Sequence, residues 1–107
     1  MIVRVDVDAG RKPLTAKQIC WRLRRGGYRL RWLSQRRSPS GTGWHLELQV
    51  TPAPRSCFEV VALQAVLGSD LAREACNLNR ARMVETGQVR GWWAKRWNVL
   101  YRKGWTA

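Results

Sequence analysis

A chain of 107 residues has room for one hydrophobic core, and a 45% hydrophobic content excludes wholesale disorder. The balance of 20 Lys and Arg against 7 Asp and Glu gives a net charge of +13, which points to a polyanion partner through counterion release. No apolar run approaches the ~20 residues of a membrane span, and the charged, alternating opening "MIVRVDVDAG" is not a secretory signal, so a cytoplasmic protein without membrane contact is expected.

In chain order, residues 2–8 alternate, with Val3, Val5 and Val7 on one side and Arg4, Asp6 and Asp8 on the other, the pattern of a half-buried strand. Thr15 and Gln18 form a capping-box pattern ahead of the stripe Ala16, Ile19, Cys20 and Leu23, and Gly26-Gly27 supplies a stop, which predicts a helix over 16–25. "YRLRWLSQR" sets Tyr28, Leu30 and Trp32 against Arg29 and Arg31, and "GWHLELQV" sets Trp44, Leu46, Leu48 and Val50 against His45, Glu47 and Gln49. Joined by Ser-Pro-Ser-Gly-Thr-Gly, the two read as a hairpin. Ser56 and Glu59 repeat the capping pattern before a helix carrying Val60, Val61, Leu63 and Leu67, stopped at Gly68. Ser69 or Asp70 caps a third helix whose apolar positions are Leu71, Ala75, Leu78 and Met83 and whose outer face carries Arg73, Arg80 and Arg82. Last, "RWNVLYR" places Trp97, Val99 and Tyr101 on one face of a fourth strand.

This order, β-α-β-β-α-(α)-β, predicts a single α+β domain over 1–107 with the split βαβ topology of ferredoxin-like and RNA-recognition-motif (RRM-like) folds. Its four-stranded antiparallel sheet would hold the first and third strands as central neighbours, with the helices on one face. The Val3/Val5/Val7 and Trp44/Leu46/Leu48 sides then pack on helices. Arg4, Asp6, Asp8, His45, Glu47 and Gln49 line the opposite, open face.

Asp6 and Asp8 project the same way from one strand, ~7 Å apart at a rise of about 3.3 Å per residue, a spacing that can hold a divalent cation against a phosphate. The alternative is a solvated network of these acids with Arg4 and neighbouring arginines. His45, the only histidine, can donate to a phosphate oxygen or stand as an inert or aspartate-bonded strand residue. The turn Gly41-Thr42-Gly43, with Ser40 before it, can offer backbone N–H groups to an anion. At these positions the sequence resembles the archaeo-eukaryotic primase superfamily: "VRVDVDAG" matches its hydrophobic-Asp-hydrophobic-Asp strand and "SPSGTGWHLEL" its Gly-rich, His-bearing strand start. The resemblance implies that Asp6 and Asp8 bind a catalytic Mg2+ or Mn2+ and that His45 contacts the triphosphate of an incoming nucleotide. The family's further carboxylate is not matched in the last strand, where Asn98 stands, which leaves Glu47 or Asp70 for that role. Family polymerases also carry a second α/β lobe, for which 107 residues leave no room.

Cys20, Cys57 and Cys76 are odd in number and scattered, so reduced and mostly buried thiols are expected rather than a zinc site or disulfides. Of seven tryptophans, Trp21, Trp32, Trp44 and Trp97 fall at core positions. Trp92, Trp93 and Trp105 lie among Arg90, Lys95, Arg96, Arg102 and Lys103, an interleaving suited to stacking on unpaired bases with phosphates alongside; a sealed sheet edge or a dimer contact is the alternative. A second basic stripe, Arg22, Arg24, Arg25, Arg29, Arg31, Arg36 and Arg37, has few acids to balance it and suits phosphate contact. These features predict a protein that binds nucleic acid without a required cofactor, single-stranded DNA ahead of duplex or RNA, in replication of a virus or other mobile element. A homodimer or a replication protein is a further expected partner. Two other readings remain open: a minimal metal-dependent nucleotidyltransferase or nuclease using Asp6, Asp8 and His45, and a basic interaction protein whose tryptophans meet a protein partner.

Overall fold

A computed structural model describes residues 2–8, 10–39, 41–89 and 97–98. The elements are β1 (Val3–Val7), α1 (Ala16–Arg25), β2 (Arg29–Arg37), β3 (Trp44–Thr51), α2 (Cys57–Val66) and α3 (Leu71–Glu85). The local signals that set their boundaries are formed in the structure. Thr15 Oγ1 accepts the Gln18 N–H at 3.2 Å while Gln18 Oε1 accepts the Thr15 N–H at 2.9 Å, completing the capping box of α1. At the other end Tyr28 N–H donates to Leu23 O at 2.8 Å and Gly27 N–H to Arg24 O at 3.1 Å, a Schellman closure. It needs the left-handed backbone that Gly27 adopts at φ +86°. In α2 Ser56 Oγ accepts the Glu59 N–H at 3.2 Å, but the Glu59 carboxylate takes the Arg55 N–H instead of its cap's. Asp70 caps α3.

The strands form one antiparallel sheet in the order β1-β3-β2, so the first and third strands are neighbours as expected. Opposed pairs share a face, and Val3↔Leu48 and Val5↔Leu46 turn theirs toward the helices. There they meet Ile19 and Leu23 of α1, Val60 and Leu67 from α2 and its C-cap, and Trp97. Each of the fully buried aliphatic side chains stabilises the fold by about 1.5–3 kcal/mol through lost water contact.

Four expectations are corrected. Trp32 is not in the core. Between Leu30↔Val50 and Trp32↔Gln49 the register shifts by one residue, so Arg31 and Trp32 together oppose Gln49. The bulge reverses the parity of β2: Leu33 takes the inward place opposite Leu48, and Trp32 turns outward, 47% exposed. Trp21 is also outside, 59% exposed, with the Arg25 guanidinium 4.7 Å over its ring. Of the cysteines, only Cys57 is buried, and Cys76 is exposed.

The fourth correction concerns α3, which turns its polar side inward. Arg73, Glu74, Asn77 and Ala81 are buried, while Leu71 and Leu78 are exposed. The cause is the outer edge of β1, whose backbone groups need polar partners. Arg4 N–H donates to Gln64 Oε1 at 2.8 Å and Asp6 N–H to Ser69 Oγ at 3.0 Å. Asp6 O accepts the Asp70 N–H at 2.7 Å and Arg4 O accepts from Arg73 at 3.2 Å. The expected fourth strand falls mostly outside the described residues. Trp97 and Asn98, which are described, form a turn, and Asn98 Nδ2 donates to Gln64 Oε1 at 2.7 Å.

The inward polar face of α3 gives a first prediction. Ser69→Ala, which strands the Asp6 N–H, should cost about 1–3 kcal/mol in urea denaturation. Leu71→Ala, at a position where periodicity alone places core, should stay within about 0.5 kcal/mol. The reverse ranking would mean that α3 packs by its leucines.

Candidate nucleic-acid interface

The face opposite the helices is built from paired residues of three strands. Asp6 opposes His45 and Arg4 opposes Glu47 across β1 and β3, while Arg36, Ser34 and Trp32 oppose His45, Glu47 and Gln49 across β2 and β3. Arg4 Nε lies 3.5 Å from Glu47 Oε2, and Arg36 Nη2 lies 3.2 Å from Glu47 Oε1. Glu47 thus joins two arginines from flanking strands. Of the alternative network of these aspartates with Arg4 and neighbouring arginines, Arg4 is turned elsewhere, to Glu47 and Asn98 O, while Asp6 faces His45 and feels Arg73, and Asp8 feels Arg11.

Exposure divides this face. Its β1/β3 part is closed: His45 is 6% exposed, and its Nε2 stands 3.5 Å from Asp6 Oδ1. Burial lowers the His45 pKa below the ordinary value of about 6.5, outweighing the opposite pull of Asp6, so the imidazole is neutral at pH 7. Burial also raises the Asp6 carboxyl, against the lowering influence of His45 and Arg73. Asp8, outside the strand and exposed, is raised by desolvation and then by the negative charge of the neighbouring Asp70 carboxyl. Asp6, Asp8 and Asp70 therefore gather at the end of β1. Among the described residues, however, no group of three or more His, Cys, Asp or Glu side chains has the arrangement to hold a metal ion.

The β2 part is open. Trp32, Arg36 and Gln49 are all exposed there, and Arg31, the extra residue of the bulge, is exposed beside them. This combination of an aromatic ring, cations and an amide, on a sheet surface that no helix covers among the described residues, can stack an unpaired base and hold its phosphates. Strict alternation assigns Trp32 to the core. The signal for its true place is the three-residue spacing of Leu30 and Leu33, which an uninterrupted strand cannot put on one face.

The other expected residues are spread over different surfaces. Arg22, Arg24 and Arg25 occupy the last turn of α1 on the helix layer, where they complement the helix dipole, and Arg22 Nη1 donates to Val66 O at 2.7 Å. Arg29 is exposed at the start of β2, and Arg37 at its end lies 4.1 Å over the Trp44 ring. The glycine turn is internally bonded: Gly41 N–H donates to Ser38 O at 2.8 Å and Gly43 N–H to Ser38 Oγ at 3.0 Å, so neither is turned to an anion. Ser40, Arg90, Trp92, Trp93, Lys95, Arg96, Arg102, Lys103 and Trp105 lie outside the described residues. No protein-family profile, curated protein or solved structure matches the chain.

The closed part of the face carries a pH prediction. A histidine with a lowered pKa in the fold contributes stability above about pH 6.5 that is lost as pH falls through the folded value. The groups around it are Asp6 on β1, Glu47 on β3, Arg36 on β2 and Arg73 on α3. Asp6, raised from its carboxylate range, has the opposite sign and acts at lower pH. With chelator present, the wild type should lose melting temperature between pH 7.5 and 5, and His45→Gln should lose clearly less; parallel curves would place the acid sensitivity elsewhere.

Proposed function

We propose that this protein binds single-stranded nucleic acid, DNA in the replication of a virus or mobile element, on the β2 side of the sheet face opposite the helices. The observation that carries the reading is the outward Trp32 beside Arg31 and Arg36 on that face, in a chain with a net charge of +13. Trp32 stacks on a base, and the strand arginines hold the flanking phosphates through forked, charge-assisted hydrogen bonds. No cofactor is needed for this. A duplex hides its base faces and binds through the cations alone. The β1-β3-β2 order supports a split βαβ, RRM-like topology, in which sheet aromatics take the bases; a fourth strand and the kinship with primases belong to the same proposal.

A second reading draws on Asp6 and Asp8, whose carboxyls stand near that of Asp70 at the end of β1. It is a primase-like nucleotidyltransferase or a nuclease, with Mg2+ or Mn2+ held by those acids. Asp6→Asn separates the two. Loss of a carboxylate should leave oligonucleotide affinity equal or higher for a binding module, whereas the enzyme would lose Mn2+-dependent nucleotide incorporation or strand cleavage with binding intact.

Fluorescence anisotropy of a labelled oligonucleotide over a salt series tests the binding reading. Trp32→Ala should weaken single-strand binding by about 1–3 kcal/mol, roughly 5–150-fold, and reduce the preference over duplex. Trp21→Ala, on the helix layer, should change it little. Equal affinity of Trp32→Ala and wild type would remove the β2 face from the site.

A further inference from the structure

Beyond the open face, one groove brings basic residues together from segments far apart in the sequence. It lies where the loop after β1 meets the end of the β2–β3 hairpin, has a volume of about 520 Å³, and is lined by Gly10, Arg11, Lys12, Pro13, Arg37, Thr42 and Trp44. Three cations and no acid line it. The nearest carboxylate effect is that of Asp8, which interacts with Arg11; Lys12 and Arg37 enter no ion pair among the described residues. The size falls within the range of small-ligand sites.

The strand side of the groove is fixed. Trp44 is held in the sheet between Val7 of β1 and Arg37 of β2 and packs on the core. Arg37 opposes Trp44 across the strands and stacks on its ring at 4.1 Å. A guanidinium laid on an aromatic face loses little freedom on binding and keeps its N–H edge for a forked contact to two oxygens of one anion. Ser38 ties the hairpin beneath it, exchanging backbone and side-chain bonds with Gly43 at 2.9 and 3.0 Å. Arg11 and Lys12, both exposed, line the groove from the loop after β1.

A phosphodiester within a strand carries one charge and is matched by single arginines along an open face. A phosphate monoester at a chain end or on a free nucleotide carries about −1.5 to −2 at pH 7 and three acceptor oxygens. Three cations converging on one groove at the end of the sheet match the second kind. We propose that this groove binds the terminal phosphate monoester of a nucleotide, with Arg37 as the forked ligand and Arg11 and Lys12 closing on the remaining oxygens. This inference rests on the nucleic-acid reading for its biological ligand, while its chemistry is tested separately.

The test compares one oligonucleotide with a hydroxyl end, a 5′-phosphate or a 3′-phosphate, with a deoxynucleoside monophosphate as competitor, at constant salt. One phosphorylated end should bind at least about tenfold tighter than the hydroxyl form, and competition by the mononucleotide should remove that gain if a free nucleotide fits the groove as well. Arg11→Gln with Lys12→Gln should reduce the gain below about threefold, whereas Arg55→Gln, which removes a charge at the far end of the sheet, should leave it unchanged. Equal binding of all three ends, or a gain that survives the Arg11 and Lys12 substitutions, overturns the proposal whether or not the hydroxyl form binds. Failure of the hydroxyl form alone overturns the open-face reading and leaves the groove standing on the phosphorylated arms.

Discussion

The outer edge of β1 is the constraint on which the rest of the fold depends. Its N–H and C=O groups at Arg4 and Asp6 are held by Gln64, Ser69, Asp70 and Arg73, and these in turn are organised around one carboxylate. Glu74 accepts from Gln64 Nε2 at 2.6 Å, Ser69 Oγ at 2.7 Å and Asn77 Nδ2 at 3.1 Å, and pairs with Arg73. A buried carboxylate is costly unless its lone pairs are filled, and here they are. Removing Ser69 would take one hydrogen bond from the Glu74 carboxylate and one from the strand edge.

That network positions the candidate site indirectly. With β1 fixed from outside, its alternate residues Arg4 and Asp6 are presented to β3, where Glu47 and His45 meet them. The β1/β3 part of the face becomes a set of mutually paired polar residues with little exposure. The β2 strand has no such partner on its outer side among the described elements, and its arginines blunt that edge against strand addition by repulsion. Openness to a ligand therefore falls on β2, the side where the bulge has turned Trp32 outward.

Much of this was legible in the sequence because it depends on short-range rules. The Thr15–Gln18 capping box, the Gly26-Gly27 stop and the alternation of β1 and β3 act within a few residues, and they locate α1 and pair the faces of the sheet correctly. What escaped is what tertiary context decides. Alternation cannot announce a bulge, so it places Trp32 inside. Periodicity ranks Leu71 and Leu78 as inward, but it has no knowledge of an unpaired strand edge whose polar demand outweighs their burial. Arg11 and Lys12 read as loop residues until the fold brings them to one groove with Arg37 and Trp44.

The placement of the acids bears most directly on function. Six of the seven have structural tasks: Glu74 centres the buried network, Glu47 bridges Arg4 and Arg36, Asp6 faces His45, and Asp70 caps α3. Glu59 and Glu85 accept the backbone N–H groups of Arg55 and Cys57, and Asp8, exposed, interacts with Arg11. Seven carboxylates cannot neutralise 20 cations, so the excess charge repels itself in the free protein, a cost that folding alone gives no reason to retain. A coding bias toward arginine would exchange one cation for another without creating that excess. A polyanion partner removes the repulsion on binding, which is the physical reason for reading the basic surface as an interface rather than as a solvated coat.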